Sequence, residues 1–171
     1  IVYQNTSGNT WTAVYTANAS DTGGAVAFSI AFSDSAGNAG TAVTAVTDGT
    51  SVTFDDTAPT LSSVSIASNN TTTTLAKVDD HVTLTFTADE PIGTPVVTFT
   101  CGGDAITDTS IGYTNTTGNT WTAVYIANAS DTDDGTVVAF SIAFSDSAGN
   151  AGIAVTAVTD GTSVTFDDTA P

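Results

Sequence analysis

The sequence states one long passage twice. YQNTSGNTWTAVYTANASDT (3–22) returns as YTNTTGNTWTAVYIANASDT (113–132). AVAFSIAFSDSAGNAGTAVTAVTDGTSVTFDDTAP (25–59) returns as VVAFSIAFSDSAGNAGIAVTAVTDGTSVTFDDTAP (137–171), changed only at Ala25/Val137 and Thr41/Ile153. Trp11 and Trp121 stand 110 residues apart and Pro59 and Pro171 stand 112 apart, so a two-residue insertion separates the blocks. Any fold must use this passage as a module, within a unit of about 110 residues. Residues 60–171 make one complete unit. Residues 1–59 are the rear half of a preceding unit without its front strands. The expectation is a window on a longer polypeptide; the alternative is a half-domain completed by a neighbouring chain.

Alternation with a period of two runs through the unit. In HVTLTFTA (81–88), Val82, Leu84 and Phe86 share one face and the threonines the other. Trp121, Ala123 and Tyr125 share a face of 119–127, and Val138, Phe140, Ile142 and Phe144 a face of 137–146. No apolar stripe has the helical period. Strands are expected at 61–67, 81–88, 96–100, weakly within 105–113, at 119–127, 137–145 and 152–159, with a continuation at 163–167. Residues 68–80 read as a loop. The DG of VTDGTS (158–163) signals a turn or bulge. About seven short strands in about 110 residues predict an all-β fold, an immunoglobulin-like Greek-key sandwich of two sheets, repeated in tandem.

Charge narrows the function. Eighteen acidic residues face a single basic one, Lys77, for a formal net charge of −17. Such a chain repels phosphate and anionic lipid, which argues against nucleic acid or a membrane surface as partner. The same excess destabilises a compact fold, so bound divalent cations or high salt are expected to offset it. Cys101 is the only cysteine, so the chain forms no internal disulfide. No stretch approaches the roughly 20 apolar residues of a membrane span.

The runs TAPTLSSVSIAS, VTLTFTADEPIGTP, NTWTAVYIANASDTDDG, FSIAFSDSAGNAG and DGTSVTFDDTAP resemble bacterial immunoglobulin-like repeats. These occur in tandem in large surface adhesins and other extracellular repeat proteins. The resemblance covers the complete unit and the preceding half. It implies a secreted, elongated, non-enzymatic rod of domains, with Ca²⁺ at the domain junctions and adjacent copies of the repeat as partners.

In a sandwich of that kind the chain enters at the end that carries the second-to-third and sixth-to-seventh strand loops. The linker FDDTAP (54–59), the turn ADEP (88–91) and the second SDSAGNAG (145–152) would meet there. They offer Asp55, Asp56, Asp89, Glu90, Asp146 and Asn150. Ca²⁺ takes about six to eight oxygens from flexible carboxylates and carbonyls, which only pooled loops supply here. Asp21 would join the junction from the rear of the first half. Asp131, Asp133 and Asp134, with Asp79 and Asp80 near them, would repeat that role in the complete unit, and Asp167 and Asp168 would repeat the linker. For Asp34 and Asp146 a second reading stays open, since Asp in such a loop also caps backbone amides.

Other candidates weigh less. His81 opens a strand and lacks companions for a catalytic or zinc site. Cys101 reads as a small buried residue. Lys77 reads as solvated, with an isopeptide crosslink assisted by Glu90 as the alternative. Trp11, Trp121, Tyr15 and Tyr125 sit at core spacing rather than as a sugar platform. N-x-[ST] motifs at Asn5, Asn18, Asn69, Asn70, Asn115 and Asn128 are glycosylation candidates at turns or strand ends. Two other roles remain in view: a module that binds a glycan or protein through its loops, and a polymerising subunit completed by strand exchange.

Overall fold

A computed structural model describes residues 1–132 and 135–169. The chain is all-β, with no helix among the described residues. It divides into two compact units, Ile1–Thr57 and Ala58–Pro171.

The first unit holds β1 (Val2–Ser7), β2 (Thr10–Val14), β3 (Gly24–Ala25) and β4 (Thr53–Phe54). β1 and β2 form an antiparallel hairpin that sets Asn5 opposite Trp11, and β3 pairs with β4. Residues 27–32 alternate well, yet form no ladder: Ile30 makes an isolated bridge to Val43, and the Phe32 carbonyl accepts the Gly40 amide. The apolar side chains of this unit are largely exposed.

The second unit begins with β5 (Leu61–Ser68), β6 (Leu75–Ala76), β7 (His81–Ala88), β8 (Val96–Cys101) and β9 (Asp104–Ala105). It continues with β10 (Gly112–Thr117), β11 (Thr120–Ile126), β12 (Ala139–Ala143) and β13 (Thr165–Phe166). One antiparallel sheet runs β5–β7–β11–β10 and a second β12–β8–β9. Val82, Leu84 and Phe86 of β7 are wholly buried, as their alternation predicts, while His81 stays exposed. Burial of each such side chain stabilises the fold by about 1.5–3 kcal/mol. Ala123 and Tyr125 of β11 join the same core as Val97 and Phe99 of β8 and Phe140 and Ile142 of β12. The Phe99 and Tyr125 rings, one from each sheet, meet at 4.8 Å with a 47° tilt. The two sheets therefore share one core, in the manner of a β-sandwich. Cys101 is buried within it.

Three expectations about strands need correction. The loop expected at 68–80 contains β6, which pairs in parallel with β13; two residues are too few to show alternation. The weak strand expected within 105–113 is two elements in different sheets, since β9 pairs with β8 and β10 with β11. The long last strand is regular only at Thr165–Phe166. Its earlier part serves two sheets in turn and cannot stay in register with either. Val155 exchanges both backbone hydrogen bonds with Ile142. Four residues later Thr159 donates to the Val64 carbonyl of β5. The Thr159 and Thr162 hydroxyls accept the outward amides of Val64 and Ile66, so they cover the edge of β5. Between them Gly161 turns the chain at φ +74°, as the DG signal predicts.

Candidate metal centre

Two turns of the second unit meet at one end of the sandwich. The turn between β7 and β8 and the loop after β12 are tied by a bridge between Ile92 and Asp146, and the Gly93 amide donates to the Ser145 carbonyl. The chain arrives beside them. Thr60 donates its amide to Asp89 Oδ1 at 2.8 Å and its hydroxyl to Oδ2 at 2.7 Å. The Pro59 carbonyl packs against Gly152, where an added Cβ would stand 2.8 Å from it. Within this unit Pro59 and Thr60 thus lie beside ADEP and SDSAGNAG; of the linker FDDTAP only the last two residues belong to the unit.

The acidic residues divide the work. Carboxylate oxygens of Glu90 and Asp146 come within 4.8 Å of each other. Glu90 is half-buried and Asp146 is buried at 7% exposure. Asp89 stands apart, its two oxygens holding Thr60. That pair of bonds, first the Thr60 amide and then its hydroxyl, keeps the Asp89 carboxyl below the usual carboxylate range.

Asp146 also caps its own loop. Its Oδ1 accepts the Gly149 and Asn150 amides at 2.7 and 2.8 Å, and its Oδ2 accepts Asn150 Nδ2 at 2.8 Å. Burial opposes its ionisation, but the Asn150 side chain and the Asn150, Gly149 and Ala148 amides outweigh burial and hold the carboxyl low. Asp34 of the first copy does the same. It accepts Asn38 Nδ2 and the Asn38 and Ala36 amides, and these bonds lower its carboxyl in turn. The octamer thus carries its own local structure wherever it occurs. An ionised Asp with two acceptor oxygens is what its amides require.

Several other acidic residues hold backbone amides of their own. Asp55 is half-buried and accepts the Thr57 amide at 3.0 Å, while Asp56 is exposed. Asp21 accepts hydrogen bonds from the Tyr15 hydroxyl and the Asn18 amide, the Tyr15 bond being the main cause of its lowered carboxyl. Asp131 is buried and serves packing: it accepts the Thr107 amide and hydroxyl and the Asn128 amide. Asp79 and Asp80 adjoin this loop through backbone bonds with Ala127. Asp133 and Asp134 lie outside the described residues. Asp167 caps the Thr169 amide.

Of the glycosylation candidates, Asn5, Asn18 and Asn70 already donate Nδ2, to the Gly8 carbonyl, to Tyr15 and Asp21, and to Asp80. Asn69 and Asn128 accept the His81 and Ser130 amides, and Asn115 lies in β10 opposite Trp121. Sequence reasoning missed the partnership of Thr60 with Asp89, because 29 residues separate them and Thr60 lies just past the FDDTAP linker. Comparison of the chain with family models, with curated proteins and with solved structures finds no match.

Proposed function

We propose that this chain belongs to a non-enzymatic, extracellular structural protein built of tandem immunoglobulin-like sandwiches, an elongated rod or filament in cell-surface adhesion or appendage architecture. One observation carries the reading. Residues 113–171 supply the rear strands of the sandwich in Ala58–Pro171, and nearly the same sequence stands at 3–59, ahead of the same DDTAP linker. A sandwich plus a linker is the natural period of such an array. The sheet orders support the immunoglobulin-like arrangement. β5–β7–β11–β10 follows the A-B-E-D order, and the pairing of β8 with β12 follows that of C with F.

In this reading Ca²⁺ binds beside Glu90 and Asp146, at the end of the second unit where the chain enters it, with the Asn150 side chain as a further oxygen donor. Each bound cation would relieve part of the repulsion within a chain of net charge −17 and restrict bending at the linker. Calcium titration of the intact chain by calorimetry, paired with Glu90→Gln, tests the cation. The expected outcome is binding at millimolar Ca²⁺ or tighter, weakened by the substitution. No heat at millimolar Ca²⁺, or equal binding by Glu90→Gln, overturns it.

A further inference from the structure

The ladder between β5 and β7 runs to Leu61 opposite Ala88. One step beyond, the Asp89 amide donates to the Thr60 carbonyl at 3.0 Å, as in any antiparallel pair. The return bond is different. The Thr60 amide donates to Oδ1 of the Asp89 side chain, in the place a backbone carbonyl would take, and the Thr60 hydroxyl donates to Oδ2. Three hydrogen bonds thus join two residues that are both exposed. What they hold is the course of the chain. Pro59, immediately before, is fully buried, and its carbonyl lies against Gly152, where the absence of a Cβ leaves it room. Pro59 and Thr60 are therefore pinned from two sides, by the loop after β12 and by the turn after β7.

We propose that Asp89 is a positioning residue: with Thr60 it fixes the direction in which the chain enters the second unit, before any cation binds. The inference rests on the role in stiffness proposed for this end of the unit, and it divides that role. Glu90 and Asp146 answer to Ca²⁺, whereas the Asp89 clamp acts without it. A carboxylate suits the task because it offers two acceptors to the two donors of one residue. Hydrogen bonds to a charged group are also about twice as strong as neutral ones. Both Asp89 oxygens are occupied by Thr60, so Asp89 is not a ligand of the ion.

The test compares the full chain in chelator with Asp89→Ala and Asp89→Asn. Asparagine keeps an oxygen for the Thr60 amide and sets its NH₂ group beside the hydroxyl oxygen, so it retains the clamp without the charge. NMR hydrogen exchange reads the Thr60 amide, and small-angle scattering reads the distribution of interatomic distances. In Asp89→Ala the Thr60 amide should exchange about tenfold faster, the loss of one charge-assisted bond, and the distribution should broaden. Asp89→Asn should follow the unsubstituted chain in both measurements and bind Ca²⁺ as that chain does. Asp89 is exposed, so the β7 amides should keep their protection in both variants. Unchanged Thr60 exchange or an unchanged distribution in Asp89→Ala overturns the inference. So does Asp89→Asn behaving like Asp89→Ala, or weakened Ca²⁺ binding by Asp89→Asn. Absence of Ca²⁺ binding by the unsubstituted chain overturns the cation reading alone, because the measurements in chelator stand without it.

Discussion

Glycine at the end of the octamer offers a sharp test, because its two copies sit in contrasting surroundings. A Cβ at Gly152 would stand 2.3 Å from Phe144 Cε2 and 2.8 Å from the Pro59 carbonyl oxygen. A Cβ at Gly40 would stand 2.2 Å from Phe32 Cε2, with no backbone atom among its nearest contacts. Neither glycine has a left-handed φ, so alanine brings no backbone strain to either. The difference lies in what can move. Phe144 is locked in the core, whereas Phe32 is more than half exposed and can rotate into solvent. Overpacking a core costs about 1–3 kcal/mol, and contact with both a buried ring and a carbonyl places Gly152→Ala at the upper end. Reduced freedom of the unfolded chain returns about 0.4–1 kcal/mol to both variants. The net expectation is a loss of about 2 kcal/mol for Gly152→Ala and no loss for Gly40→Ala. Hydrogen exchange of the β7 amides in the full chain, at increasing urea, measures the stability of the second unit. Equal effects at the two positions, or none at Gly152, would refute the reasoning.

Other consequences are more local. Leu84→Ala, in the wholly buried centre of β7, should cost about 2–5 kcal/mol in urea unfolding. Asp131→Ala removes the buried carboxylate to which the Thr107 and Asn128 amides donate, and about 1–3 kcal/mol should be lost for each amide that finds no water. The carboxyls of Asp34 and Asp146 are lowered, so their stabilisation is complete above the ordinary Asp value of about 3.9 and disappears as pH falls through their lower folded values. NMR titration should therefore place the midpoints of the Asn38 and Asn150 amide shifts below about 3.9. Midpoints above it would contradict the capping geometry.

The parts of this fold that the sequence made legible are those in which one strand keeps one partner. His81–Ala88 and Thr120–Ile126 pair with constant register across one face of the core, so their apolar residues fall every second position. The 151–164 stretch was illegible because it bonds first to β12 and then to the edge of β5. No spacing marks Thr159 and Thr162, yet their hydroxyls close that edge. Among the acidic residues the sequence could gather Asp89, Glu90 and Asp146 at one end, but it could not assign them. Asp89 turned to Thr60, a partner distant in sequence, and Asp146 turned to amides of its own loop as well as toward Glu90. Spacing alone does not distinguish a carboxylate that holds backbone amides from one that awaits a cation.

The central proposal is that the repeat acts mechanically and that Ca²⁺ bound beside Glu90 and Asp146 governs its stiffness. Small-angle scattering of the intact chain, in millimolar Ca²⁺ and again with chelator, measures this directly. The account predicts a longer maximum dimension and a narrower distribution of interatomic distances with Ca²⁺, with Glu90→Gln resembling the chelated chain in both conditions. Superimposable profiles with and without Ca²⁺ would contradict it.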